Sequence, residues 1–116
     1  MVSTATDYAR FCQFLLNGGE LDGVRLVSAE TFKQMLSPHV PAAGQAFGWG
    51  FIIRVNEKGV YPGTVGDFGW SGFYGTYFWI DPKRDLYAVL MSQVPAAVRE
   101  KYRRFMREGV YGALTN

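Results

Sequence analysis

At Phe47 the spacing of apolar residues changes from three-and-four to two, and no other feature limits the fold as much. Upstream, Tyr8, Phe11, Cys12, Leu15 and Leu16 draw one helical stripe. Thr4 and Asp7 have capping-box spacing at its start, and Asn17-Gly18-Gly19 closes it. Glu20 to Val27 reads as a short β-excursion around the turn pair Asp22-Gly23. Ser28 caps a second helix, with Glu30 in its first turn and Phe32, Met35 and Leu36 facing inward, and Pro38 ends it. Residues 38–46 read as a loop. Downstream, Phe47, Trp49, Phe51, Ile53 and Val55 alternate with Gly48, Gly50, Ile52, Arg54 and Asn56, which predicts one strand with an aromatic face.

After the turn at Glu57-Lys58-Gly59, further strands are expected over about 64–73 and 76–80, with Asp81 to Asp85 as a polar turn. Leu86 to Ser92 is a continuous apolar run, as in a strand covered on both faces. Pro95 suits the first turn of a last helix, whose expected buried stripe is Val98, Tyr102, Phe105 and Met106. Helices and strands are segregated, so the expected class is α+β: an antiparallel sheet meander, two N-terminal helices, and a C-terminal helix packed on the sheet. No linker divides the chain, and residues 1–116 read as a single domain.

The 116 residues supply one modest core, and a net charge of +2 points to no polyanionic partner. The last helix carries Arg99, Arg103 and Arg107 with Lys101 and Arg104, but Glu100 and Glu108 interrupt the row. The expectation is a solvated helix face and no nucleic-acid partner. Cys12 is the only cysteine, so no internal disulfide forms, and it reads as a buried structural thiol. His39 is the only histidine and reads as a surface residue in a Pro-flanked loop. No cluster of metal-ligating residues stands out, so neither metal nor cofactor is expected. No apolar stretch is long enough for a transmembrane helix, and Met1-Val2-Ser3-Thr4 lacks the pattern of a signal peptide. The compartment stays open.

The densest unusual stretch is Asp67 to Thr76, with three glycines and four aromatics in ten residues. Glycine weakens a strand unless something comes close to the backbone. Here it would expose N–H groups to a ligand between walls of Trp70, Phe73 and Tyr74; the plainer alternative is a glycine-kinked hairpin with aromatic packing.

Gly69 to Pro82 resembles the third-motif region of serine β-lactamase-like hydrolases, which include class C β-lactamases, D-alanyl-D-alanine carboxypeptidases and related esterases. Residues 3–11, Leu15-Leu16-Asn17-Gly18-Gly19 and Phe47-Gly48-Trp49-Gly50-Phe51 resemble other stretches of that family, in its order. The resemblance implies a partial β-lactamase/transpeptidase-like fold, matching the C-terminal part of that domain. Trp70-Ser71-Gly72 matches the position of the family's Lys-Thr-Gly-type triplet. By that likeness Ser71 offers a hydroxyl to a substrate carboxylate or carbonyl, and Gly72 keeps the strand open to substrate. Tyr74 and Trp70 would contact substrate, and the Phe73 backbone N–H would be one oxyanion donor. Trp70 replaces the usual Lys or His, which shifts the expectation toward esters or less anionic amides.

No serine here is followed three residues later by lysine. The residues at that spacing after Ser3, Ser28, Ser37, Ser71 and Ser92 are Thr, Thr, Val, Tyr and Pro. The Ser-x-x-Lys nucleophile of the family is therefore outside this chain, which alone is expected to be inactive. The leading expectation is part of a serine hydrolase that cleaves a small ester, amide or β-lactam through an acyl-enzyme. Its partner would be the N-terminal part of the same domain, and the isolated chain should self-associate. The alternative is a non-catalytic binding domain derived from the same fold.

Overall fold

The computed structural model describes residues 2–114; of the Met1–Thr4 segment read above, Met1 lies outside them. Helix α1 spans Ala5–Leu16, and the Thr4 hydroxyl accepts the Asp7 N–H at 3.1 Å and donates to the Asp7 carboxylate at 2.9 Å, so the expected cap forms, with the Asp7 carboxylate engaging the Thr4 hydroxyl and not its backbone N–H. Strands β1 (Glu20–Leu21) and β2 (Val24–Arg25) form a hairpin. Its turn residues Asp22 and Gly23 both take positive φ, as a tight two-residue turn demands. Helix α2 spans Ala29–Met35 under a Ser28 cap.

Six strands then form an antiparallel meander in sequence order: β3 (Val40–Ala42), β4 (Gln45–Phe47), β5 (Ile52–Arg54), β6 (Phe68–Ser71), β7 (Tyr77–Asp81) and β8 (Leu86–Leu90). Helix α3 covers Arg99–Ala113. The class is α+β, as expected.

Several boundaries differ from the sequence reading. Residues 38–46 are not simply a loop, because β3 and β4 pair across a turn at Gly44. Pro41 is tolerated there because β3 is an edge strand. The strand expected from Phe47 to Val55 is broken into β4 and β5, which pair with each other. Gly50 adopts φ +91° and the Gly48 N–H bonds the Phe51 carbonyl, so the chain reverses where the apolar alternation ran on. Asp81, expected in a surface turn, ends β7 and is fully buried.

Pleating puts Phe68 of β6 and Phe78 and Ile80 of β7 on one face, with Ile53 of β5. These join Cys12 and Leu15 of α1 and Phe51 in the apolar core, against which Tyr8, Phe32 and Met35 pack. Burial pushes the Cys12 thiol up to about 12, so it is an inert core residue. Helix α1 lies across β7 and β8.

Helix α3 lies on the opposite face and corrects the sequence reading twice. Tyr102 and Phe105 of the expected buried stripe are exposed, Phe105 at 75%, while Arg107 is 4% exposed and Arg103 is buried with it. The arginine row is thus not a solvated face. The reason lies in the sheet, which presents buried acceptors on this side, and buried acceptors need donors.

Strand β8 is hydrogen-bonded only to β7, and its five residues are half-buried, not sealed on both faces. Among the described residues its outer edge is unpaired, which invites strand addition. The apparent mass on size-exclusion chromatography should therefore rise with concentration. A constant monomer would refute this.

Candidate active-site wall

Strand β6 ends in Trp70-Ser71, and residues 72–76 turn the chain into β7. The turn is closed by the Gly72 N–H on the Thr76 carbonyl at 2.7 Å and the Gly75 N–H on the Gly72 carbonyl at 3.1 Å. Gly75 has φ +105°, and side chains of Val94 and Ser92 occupy the space of a Cβ there. At Gly72 a Cβ would overlap the Thr76 hydroxyl. A side chain at 72 would thus have to turn the Thr76 hydroxyl aside, an additional reason for glycine to the access suggested by sequence.

A groove of about 460 Å³ opens beside this turn, lined by Trp70, Ser71, Gly72, Tyr74, Tyr8 and Phe78 among others. The strand is therefore not packed shut. Trp70 is partly exposed, with its ring 6.0 Å from Phe47, and Tyr74 is exposed. Ser71 borders the groove and also a second, more polar cavity of about 250 Å³ on the α3 side. The Phe73 N–H makes no hydrogen bond to the described residues. Phe73, expected as a wall, is instead absent from the lining of both cavities, and its ring sits against Arg99, whose guanidinium carbon lies 4.9 Å from the ring centroid.

The support behind the turn was not foreseen. Arg99, Arg103, Arg107 and Tyr111 recur every four residues on α3, and each meets the sheet or its turn. Arg99 donates to the Phe73 carbonyl. Arg103 donates to the Gly72 carbonyl at 2.8 Å and to Glu100 at 2.7 Å. Arg107 donates to Asp67 at 2.7 Å, to the Pro62 carbonyl at 2.8 Å and to the Tyr77 hydroxyl at 2.9 Å. Its guanidinium also lies 4.6 Å over the Trp79 ring. Tyr111 donates to Asp81 at 2.6 Å, and Thr64 donates to the other Asp81 oxygen at 2.6 Å.

Arg54 of β5 completes the cluster, bonding Asp67 at 3.2 Å. Asp67 thus joins two buried guanidinium groups. Burial raises the Tyr77 pKa above its ordinary value although Arg107 opposes the shift, so Tyr77 is a neutral phenol near pH 7. Burial likewise raises Tyr111, helped by its bond to Asp81. The only sequence signal for this cluster was the period-four spacing of Arg99, Arg103 and Arg107 on α3. His39 is exposed as expected, stacked on Trp49 at 5.3 Å. Among the described residues no group of side chains could hold a metal ion, and no helix is long and apolar enough to cross a membrane.

A family described as Beta-lactamase matches residues 1–111. This chain belongs to the β-lactamase family. Among its relatives, an uncharacterized protein of Mycobacterium tuberculosis is 32% identical over 108 residues, covering 78% of this chain and 27% of that protein. A putative D-alanyl-D-alanine carboxypeptidase of Escherichia coli O157:H7 is 33% identical over 101 residues, covering 82% of this chain and 22% of that protein. A penicillin-binding protein homolog from Caulobacter crescentus superposes with a TM-score of 0.74 at 28% identity, covering 97% of this chain and 32% of that one. The chain spans about a quarter of the length of these curated β-lactamase-family relatives. The partial β-lactamase-like α+β fold and the hydrolase family are thereby shown.

Proposed function

We propose that this chain forms one wall of the cleft of a serine hydrolase that cleaves small esters, amides or β-lactams through an acyl-enzyme. It would be the C-terminal portion of that domain, and polypeptide outside this chain would supply the nucleophile. The observation that carries the reading is the unengaged Phe73 N–H at the glycine turn, beside an open groove bordered by Ser71.

In this reading a serine hydroxyl from outside the chain attacks the substrate carbonyl carbon. Its proton passes to a base on the same outside segment. The carbonyl oxygen takes the negative charge and is held by the Phe73 N–H. Collapse breaks the bond to the leaving alcohol or amine, which takes the proton back from that base and departs, or in a β-lactam stays tethered to the opened acyl group, and water then releases the acid and regenerates the hydroxyl. Ser71 orients the substrate, while Trp70 and Tyr74 give it apolar walls. Trp70 carries no cation to meet a substrate carboxylate, which favours uncharged acyl groups.

The test is Phe73→Pro in a protein joining this segment to its nucleophile-bearing part, assayed with a p-nitrophenyl ester and nitrocefin. Proline deletes the N–H at an exposed turn position where it has no protein partner. The expected result is a fall in kcat of about 10²–10³ with little change in melting temperature. Undiminished kcat would remove Phe73 from the site. Clear turnover by the 116-residue chain alone, lost only on mutating its own residues, would overturn the assignment of the nucleophile to another segment. No turnover in the joined protein would favour the binding-domain alternative.

A further inference from the structure

We propose that Arg103 is a positioning residue: from behind the sheet it fixes the peptide plane between Gly72 and Phe73, and so turns the Phe73 N–H away from α3, toward the side on which the groove opens beside Gly72 and Tyr74. The inference rests on the reading of Phe73 as an oxyanion donor but makes a separate claim about what holds that donor in place.

The argument begins with the peptide unit. In a planar trans peptide the C=O and N–H point in opposite directions. No described peptide bond is cis. The carbonyl of this unit belongs to Gly72, and it is drawn toward α3 by Arg103 at 2.8 Å. The N–H of the same unit belongs to Phe73, so it points away from α3. Helix α1 packs on the other face of the sheet, and from that side Tyr8 and Phe78 line the groove. Holding the carbonyl on one side therefore presents the donor on the other.

Arg103 is built for this task. Its side chain is buried, and a second nitrogen is held by Glu100 at 2.7 Å, so the guanidinium has a fixed orientation as well as a fixed position. A planar fork held at two points transmits direction, which a single ammonium cannot do. The following peptide is fixed in the same way, because Arg99 holds the Phe73 carbonyl and packs on the Phe73 ring. Two successive carbonyls of the turn are thus anchored one helical turn apart on α3.

The device answers a weakness of the turn itself. At Gly72 the Thr76 hydroxyl fills the space of a Cβ. Glycine also lets its ψ rotate freely, so the peptide that follows it is the easiest in the turn to flip. Without Arg103, only the 3.1 Å bond from Gly75 would restrain the Gly72 carbonyl. A flip would turn the Gly72 carbonyl oxygen to the side where the proposed donor stands, and would repel the negative charge that the N–H is proposed to hold.

The experiment uses the protein that joins this segment to its nucleophile-bearing part, ¹⁵N-labelled, with Arg103→Lys and Arg103→Met, reading the N–H residual dipolar coupling of Phe73. Ile80 and Leu15 report whether the fold persists. The expected result is one sharp Phe73 amide with a fixed coupling in the parent. In Arg103→Met it should broaden or average toward zero while Ile80 and Leu15 hold, with Arg103→Lys in between. A folded Arg103→Met chain with an unchanged Phe73 coupling overturns the proposal. Should that variant fail to fold, Arg103→Lys and Glu100→Gln decide: a change in the Phe73 coupling supports the proposal, and unchanged coupling in both overturns it.

Kinetics then separates the two claims. In the joined protein, Arg103→Lys should lower kcat about tenfold or more with KM nearly unchanged, since the lost interaction exists only in the transition state. A perturbed coupling with undiminished kcat supports the aiming role and rejects Phe73 as the oxyanion donor. A lowered kcat with an unperturbed coupling overturns the aiming role.

Discussion

Replacing Asp67 with asparagine is expected to lower the unfolding free energy by about 3–5 kcal/mol, because it leaves two buried guanidinium groups without their shared counter-charge. Arg54 and Arg107 reach Asp67 at 3.2 and 2.7 Å, and all three side chains are more than nine-tenths buried. The amide keeps the shape and part of the hydrogen bonding, so the loss is mainly of charge compensation. A domain of this size has on the order of 5–15 kcal/mol in total. The melting temperature should fall by more than ~10 °C. Urea titration of Asp67→Asn against the parent, followed by circular dichroism, checks it. A change below ~1 kcal/mol would mean that the pair behaves like exposed ion pairs and that water reaches the cluster.

Replacing Phe78 with alanine should cost a similar amount, about 3–5 kcal/mol, for the opposite reason. Its ring lies 5.1 Å from Tyr8, 6.2 Å from Phe11 and 6.4 Å from Phe51. It is the point at which α1 meets β7, and truncation leaves a cavity that rigid neighbours fill only in part. The groove beside Ser71 would widen as well, because Phe78 lines it. Denaturant unfolding measures the first effect. Near-ultraviolet circular dichroism should show the loosening of the aromatic cluster, and an unchanged spectrum with a cost under ~1 kcal/mol would contradict this account of the core.

What the sequence made legible follows from what periodicity reports. The caps at Thr4 and Ser28 and the turn at Asp22-Gly23 are local chemistry, and each lies where expected. The meander order was legible too. The break between β4 and β5 was not, since Phe47, Trp49, Phe51 and Ile53 alternate straight through a reversal made by Gly48 and Gly50. On α3 the apolar pattern pointed to the wrong face, because periodicity finds the apolar side of a helix, which is the inner side only when the surface beneath is apolar. Here that surface carries Asp67, Asp81 and the carbonyls of Pro62, Gly72 and Phe73, so arginines and a tyrosine turn inward.

The candidate site was half visible. Glycine density and family resemblance marked Trp70-Ser71-Gly72 and Phe73, and the groove lies beside that triplet. The supporting arginines were invisible as support, since charge runs on a helix usually face water.

A helix seated on greasy residues can slip or roll with little penalty, because dispersion contacts are interchangeable. Helix α3 has no such freedom: each of its four inward side chains has its own acceptor, spaced one turn apart. A shift by a single residue would break all four engagements together. The segment between β8 and α3, residues 91–98, must therefore absorb any change in chain length, while the helix acts as a ruler laid against the back of the turn.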